Sequence, residues 1–271
     1  MVVVITGASA GIGKALAGEL ALRDAKLVLA ARRIDVLEQL NQSLGGGHLC
    51  IRADVSKRDD CNALVARTVE HFGRIDTLVC NAGYGIYRRV DETSQDETRQ
   101  IFATNFFGTT DCIAAALPVM KRQQPRDRSR WRGQIMIVSS AAGRRGVPFI
   151  GVYSATKAAQ LTLTDALRVE MRRDQIAVTG VYPIQTHTNF GQTAESLGGT
   201  KLPRLPKTGF GQSAEHVVRR MTRAIERPVP EVWPARPAKW FLALGTLMPR
   251  LTDAVMRRFA RKVEEANKIS R

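Results

Sequence analysis

Short apolar runs alternate with amphipathic stretches from the start of the chain. Val2-Val3-Val4-Ile5 is β-branched throughout, the pattern of a strand buried on both faces. Similar runs predict strands over residues 26–31, 48–53, 76–80, 134–138, 176–182 and 228–233. Between them, apolar positions spaced three and four apart predict helices over 14–22, 34–43, 57–71, 93–120, 152–173 and 213–226. Gly45-Gly46-Gly47 and Gly73 close two of these helices, and Ser213 reads as the N-cap of another. The alternation predicts an α/β fold: a doubly wound parallel sheet of about seven strands with right-handed crossovers and helices on both faces. Ligands in such sheets bind at the carboxyl ends of the strands.

Two stretches depart from the alternation. Residues 184–212 are rich in Gly, Thr and Pro, with Gly198-Gly199, Pro203, Pro206 and Gly211, and predict a long lid or binding loop. Residues 236–271 form an extension in which Trp240, Phe241, Leu244, Leu247, Met248, Leu251, Val255 and Phe259 recur at helical spacing, with Pro249 dividing two helices. Residues 1–235 are therefore expected to form one catalytic domain, followed by a basic amphipathic C-terminal extension over 236–271.

Charge changes the picture for the second half only. Residues 1–120 hold 13 Lys+Arg against 14 Asp+Glu, whereas residues 121–271 hold 28 against 11. The extension alone carries nine basic residues against three acids. An apolar face flanked by basic residues fits a helix lying on an anionic membrane surface, and equally a helix pair packed on the protein's own core or on a second subunit. A second basic run, from Lys121 to Arg132 with Trp131, reads as an exposed loop; no nucleic-acid-binding module accompanies it. Cys50, Cys61, Cys80 and Cys112 have no close spacing and read as reduced thiols, and the four histidines are scattered, so no metal site is expected. No basic leader precedes the first strand and no apolar run approaches the roughly 18 residues of a membrane span, so a cytoplasmic location is expected, with membrane association through the extension.

The candidate chemistry falls at strand ends. Thr6-Gly7-Ala8-Ser9-Ala10-Gly11-Ile12-Gly13 joins the first strand to a helix, where glycines permit a tight turn and close approach to a pyrophosphate at the helix N-terminus. The second strand ends in Ala31-Arg32-Arg33; an acid there would favour NAD, whereas arginines suit the 2′-phosphate of NADP. Asp54-Val55, Asn81-Ala82-Gly83 and Ser139-Ser140 follow the third, fourth and fifth strands. Tyr153 and Lys157, four apart on a helix, share one face, and an ammonium beside a phenol lowers its pKa and eases proton exchange.

In this order Thr6-Gly7-x-x-x-Gly11-x-Gly13, Asn81-Ala82-Gly83, Asn105, Ser140 and Tyr153-x-x-x-Lys157 resemble a short-chain dehydrogenase/reductase over about residues 2–233, a family with a Rossmann-like fold. The resemblance implies an oxidoreductase moving hydride between nicotinamide and a carbonyl or alcohol carbon, with NADP(H) as cofactor. It implies that Tyr153 gives or takes the hydroxyl proton and that Lys157 lowers the Tyr153 pKa and binds the nicotinamide ribose. Ser140, with Ser139 as the alternative, would bond the substrate oxygen, and Asn105 would hold a water in a proton relay through Lys157. The cofactor would lie along Gly7, Ser9, Gly11, Ile12, Gly13, Arg32, Arg33, Asp54, Val55, Asn81, Ala82, Gly83, Pro183, Thr186 and Thr188. Cys80 stands where the family often has Asn. Ile184 stands where it often has Gly, so the loop backbone beside the nicotinamide is expected to differ. The family implies a homodimer or homotetramer and a small-molecule carbonyl or alcohol substrate, with residues 184–212 as a substrate lid loop closing over it. Two other readings stay open: a cofactor-binding regulator or scaffold whose site is unused, and a peripheral membrane or nucleic-acid binder driven by the basic half.

Overall fold

The computed structural model describes residues 1–126, 129–202 and 212–268. In chain order its strands and helices are β1 (Val2–Thr6), α1 (Gly11–Ala21), β2 (Lys26–Ala31), α2 (Ile34–Ser43), β3 (Leu49–Arg52), α3 (Arg58–Phe72), β4 (Thr77–Cys80), α4 (Gln95–Phe102), α5 (Gly108–Arg122), β5 (Gly133–Val138), α6 (Gly151–Glu170), β6 (Ile176–Val181), β7 (Thr186–His187), α7 (Phe190–Gly198), β8 (Gln212–Ser213), α8 (Ala214–Glu226), β9 (Glu231–Val232), α9 (Arg236–Leu247) and α10 (Pro249–Lys268).

The main sheet has seven strands in the order β3-β2-β1-β4-β5-β6-β9, each parallel to its neighbours. Successive strand side chains point to opposite faces, and the core divides accordingly. Val2, Val4, Val28 and Leu78 pack with Leu64 of α3 and Ile113 of α5, whereas Val3, Ile5, Leu27 and Leu29 pack with Leu16 of α1, Leu37 of α2 and Val217 of α8. Burial of each such Leu or Ile contributes about 1.5–3 kcal/mol. The chain reverses its direction of winding between β1 and β4, so their carboxyl ends open a crevice there.

Three predicted stretches take a different form. The helix predicted over 93–120 is continuous but carries a π-helical turn, Ala103–Phe107, between α4 and α5. Residues 184–202 are not a plain loop. They hold β7 and α7, whose Phe190, Ala194 and Gly198 recur every fourth residue; Ala194 and Gly198 are buried. The rest of the predicted lid, with Pro203, Leu205, Pro206, Phe210 and Gly211, lies outside the described residues, as do Asp127 and Arg128 of the basic run. The strand predicted over 228–233 is only two residues long, although it completes the sheet beside β6.

The extension does form two helices divided at Pro249. α10 buries Val263, its Thr252 hydroxyl bonds the Gly245 and Met248 carbonyls at the end of α9, and Asn267 exchanges two hydrogen bonds with the Lys201 backbone (2.9 and 3.0 Å). α9 buries none of its residues; Trp240 is 73% and Leu247 80% exposed. Among the described residues no helix is long and apolar enough to cross a membrane.

Candidate active site

The β1–α1 turn is built by glycines doing different things. Gly7 and Gly11 adopt φ of 67° and 55°, left-handed values that a side chain resists. Gly13 has no such φ, but a Cβ on it would lie 2.5 Å from the Gly7 carbonyl oxygen and 2.6 Å from Asn81 Nδ2. Asn81 staples the turn to β4: its carboxamide donates to the carbonyls of Thr6 (2.9 Å) and Gly7 (3.3 Å). The Thr6 hydroxyl accepts from the amides of Asn81 (3.0 Å) and Ala82 (3.1 Å). The result is a narrow cradle at the N-terminus of α1, where free amides and positive potential meet. Ile12 is half-buried against the core beneath it. Gly13→Ala is expected to weaken dinucleotide binding by more than about tenfold and to lower the melting temperature, because the Gly7 carbonyl on one side and the Asn81 carboxamide that staples the turn on the other leave the methyl nowhere to go. Fluorescence titration and a thermal melt check both.

Beyond the cradle, the ends of β2 and β3 form a cationic recess. Arg33 donates to Ser9 Oγ in the glycine-rich turn at 3.2 Å. Arg32, Arg52, Lys57, Asp54 and Asp60 line an adjoining cavity of about 330 Å³. Asp54 accepts from Ser56 (3.1 and 2.7 Å), while Asp60 accepts from the Asp54 amide at 2.7 Å. Arg52 and Lys57 were not among the sequence candidates. Arg52 pairs with Ala31 in parallel register, so the end of β3 always faces the end of β2. The predicted contact Val55 has its side chain in the core against Gly108 of α5, leaving only its backbone for a ligand.

The other group assembles on α6. Tyr153 is half-buried, its ring 5.4 Å from that of Phe190 at the start of α7. The Ser140 hydroxyl lies close enough to the Tyr153 phenol to favour its ionised form, while donating to the Pro183 carbonyl at 3.4 Å. Ser139 is turned away: its hydroxyl donates to the Lys157 carbonyl at 2.8 Å. That geometry separates two serines which adjacency alone leaves equivalent. Lys157 Nζ lies 5.7 Å from the Tyr153 ring centroid, and an ideal Cβ on Gly83 would lie 3.5 Å from it.

The pKa relationship differs from the one Tyr153–Lys157 spacing predicts. Burial pushes the Tyr153 phenol up, offset in part by the Ser140 hydroxyl. Burial also pushes Lys157 down, from 10.5 to about 7. Lys157 donates to the Val138 carbonyl and to Gln160 Oε1, both at 2.9 Å, and among the described residues no carboxylate pairs with it. Between pH 7 and about 10 the unfolded chain therefore binds a proton that the folded chain does not, so this lysine makes stability rise with pH across that window. Below pH 7 both states are charged and the burial cost is felt in full. Lys157→Met is expected to stabilise the cofactor-free protein most at pH 6.5, with the gain shrinking by pH 8.5 in urea unfolding. A pH-independent gap would contradict the shift.

Asn105 sits in the π-turn, fully buried. Its carboxamide accepts from the Tyr84 amide and donates to the Tyr84 carbonyl and Thr156 Oγ1, all at 3.0 Å. Its backbone carbonyl accepts from Gln160 Nε2 (2.6 Å) and Thr109 Oγ1 (2.8 Å). Asn105, expected to hold a relay water, thus has both its carboxamide and its backbone carbonyl bonded to protein groups.

The floor beside Ser140 comes from the β6–α7 segment. Pro183 accepts from the Ala141 amide (2.9 Å) and more weakly from Ser140 Oγ (3.4 Å). Ile184 takes no left-handed conformation, and its carbonyl accepts from Thr186 Oγ1 at 2.9 Å. Thr188 reaches the cradle: a Cβ on Gly11 would lie 3.7 Å from it. α7 is held down by Arg88, which donates to the Leu197 and Gly198 carbonyls (3.0 and 3.1 Å) and pairs with Glu97 of α4 at 2.7 Å. Phe190 and Arg88 were legible only as ordinary loop residues.

Residues 1–196 match the family model described as short chain dehydrogenase. The chain is 31% identical over 239 residues to mouse dehydrogenase/reductase SDR family member 7B, covering 85% of this chain and 72% of the relative. It is 36% identical over 236 residues to an uncharacterised oxidoreductase of Listeria innocua, covering 84% and 91%. Among solved structures, the alcohol dehydrogenase of the archaeon Thermococcus sibiricus complexed with 5-hydroxy-NADP superposes with a TM-score of 0.72 at 30% identity, covering 85% of this chain and 94% of that one. A short-chain dehydrogenase/reductase of Burkholderia phymatum, in complex with NAD, superposes with a TM-score of 0.80 at 23% identity, over 93% and 94%, and shows the shared fold. With the motifs in order and the crevice built as described, the chain belongs to the short-chain dehydrogenase/reductase family of oxidoreductases.

Proposed function

We propose that the protein is an NADP(H)-dependent oxidoreductase that interconverts a carbonyl and a secondary alcohol, with Tyr153 as proton donor and acceptor. The observation that carries this is the Tyr153–Ser140 pair, set beneath Phe190 at the mouth of the crevice with Lys157 behind it. The cradle fits a dinucleotide, because Gly7 and Gly11 hold left-handed backbone at the N-terminus of α1, where no side chain keeps a pyrophosphate from the turn. The residues that would hold it are the glycine-rich turn, Arg32, Arg33, Asp54, Asn81 to Gly83, Lys157 and the Pro183–Thr188 segment. Arg33 bonded to Ser9, with no acid ending β2, supports the 2′-phosphate of NADP. When bound, the cofactor supplies or takes hydride at its nicotinamide.

This chain's own part is the proton. In reduction the carbonyl oxygen gains negative charge, and the Tyr153 phenol and Ser140 hydroxyl are placed to donate to it. Tyr153 gives up its proton as the alkoxide forms, and the Lys157 ammonium favours the resulting phenolate. Side-by-side titration with NADPH and NADH, followed by turnover on a panel of carbonyls, tests the reading. Tight NADPH binding without turnover of any substrate would favour the scaffold alternative.

A second reading concerns the extension, and it is compatible with a cytoplasmic enzyme. Trp240, Phe241, Leu244, Leu247, Met248 and Leu251 are exposed along α9 and the start of α10. Trp240 also borders a groove of about 570 Å³ lined by Arg220, Arg223, Arg227, Arg236 and Lys239. Lys239 pairs with Glu231 at 2.7 Å, and apolar side chains beside the remaining excess of cations favour contact with an anionic membrane surface. The intact protein is expected to sediment with anionic vesicles, and the chain ending at residue 235 to remain in solution; equal sedimentation would refute the contact. Homodimer or homotetramer formation is the companion proposal, supported by Phe107, 55% exposed between α4 and α5; light scattering on a sizing column reads it.

A further inference from the structure

Gln160 lies one turn beyond Lys157 on α6 and is 0% exposed. A buried carboxamide is costly unless its donors and acceptor are all used. Here they are used on groups already placed in the crevice. Oε1 accepts from Lys157 Nζ at 2.9 Å, and Nε2 donates to the Asn105 carbonyl at 2.6 Å and to Thr109 Oγ1 at 2.8 Å. The orientation of the amide follows from its partners. An ammonium has only donors, so the oxygen must face Lys157; a carbonyl has only lone pairs, so the nitrogen must face Asn105.

Three things follow. Lys157 has three N–H donors, and Gln160 and the Val138 carbonyl take two, leaving one for the crevice at Tyr153 and Gly83. The Asn105 carbonyl lies in a π-helical turn, where the regular helix ladder is interrupted, and Gln160 reaches that carbonyl. The partner given to Lys157 is neutral. A carboxylate in its place would hold the ammonium charged, whereas a carboxamide orients it without adding charge.

We propose that Gln160 is a positioning residue that aims the Lys157 amine at the crevice and ties it to the Asn105 turn. No feature of the family motif includes it, and its role in turnover rests on the oxidoreductase reading above; its effect on Lys157 does not. The low Lys157 pKa agrees with a neutral partner.

Two near-isosteric variants test this with opposite signs. Gln160→Met removes the acceptor, and Gln160→Glu replaces it with a charged one. The ionisation of Lys157 is read by NMR titration of protein labelled with ¹⁵N at lysine Nζ, with neither substrate nor cofactor added. Gln160→Glu is expected to raise the Lys157 midpoint by at least about one pH unit and Gln160→Met to lower it. In the carbonyl-reducing direction, the pH at which kcat/KM falls should move the same way in each variant. Gln160→Met should lower kcat by about tenfold or more while leaving the KM for NADPH within about threefold. A merely structural role would lower stability in both variants but would not move the midpoints in opposite directions. Unmoved or same-direction midpoints would overturn the proposal. If one variant does not fold, the sign of the other's shift still decides. Shifted midpoints in a protein without carbonyl turnover would uphold the positioning role and reject the oxidoreductase reading instead.

Discussion

Tyr153→Phe is expected to lower turnover by about 10²–10⁴-fold while leaving NADPH affinity within about threefold. The substitution deletes one hydroxyl and keeps the ring, so the 5.4 Å contact with Phe190 survives and α7 stays in place. What is lost is the phenol that faces the Ser140 hydroxyl at the crevice. Burial keeps that phenol protonated well above neutral pH, which suits it to donate to a developing alkoxide. The reverse reaction needs the phenolate and should therefore rise steeply with pH. Steady-state kinetics in both directions, with a cofactor titration on the same preparation, read all three quantities. Retained turnover would remove Tyr153 from the acid–base role.

The double variant Arg32→Ala/Arg33→Ala is expected to weaken NADPH by about 100-fold or more while changing NADH by less than about threefold. Hydrogen bonds to a charged group contribute about 1.5–3 kcal/mol each, and 1.4 kcal/mol is a factor of ten. Both arginines are exposed, so screening keeps the effect near the lower end, and the NADPH preference of the wild type should shrink as salt rises. Arg52 and Lys57 line the same recess and will retain part of the attraction. Adding Arg52→Ala should therefore deepen the NADPH loss without reaching NADH. Equal losses for both cofactors would mean that these guanidiniums do not read the 2′-phosphate.

Much of this arrangement is legible in contiguous residues. β-branched runs and helical periodicity specify the alternation of strands and helices, because each follows from which neighbours along the chain share a face. The glycine-rich turn, the arginines ending β2 and the one-turn spacing of Tyr153 and Lys157 are local in the same sense. Pro249 marks the break between α9 and α10, where it opens α10 with a position that needs no helical N–H donor. α7 escapes notice because its composition is that of a loop, and its helix is stabilised from outside: Arg88 binds its last carbonyls, and Ala194 and Gly198 fit against the body.

By itself, then, the sequence determined the fold class, the strand-end location of the crevice and the residue types able to hold a dinucleotide and move a proton. The tertiary structure alone decided which serine meets Tyr153, what occupies the Asn105 carbonyl, and that Gln160 stands between it and Lys157. It also decided the direction of the Tyr153 shift, and it brought Cys61 and Cys112, 51 residues apart, to 3.4 Å. The physical reason is common to all of these. A pKa or a hydrogen-bond partner depends on burial and on groups brought in from distant elements, here β5, the π-turn and α7, and no periodicity along the chain encodes that meeting.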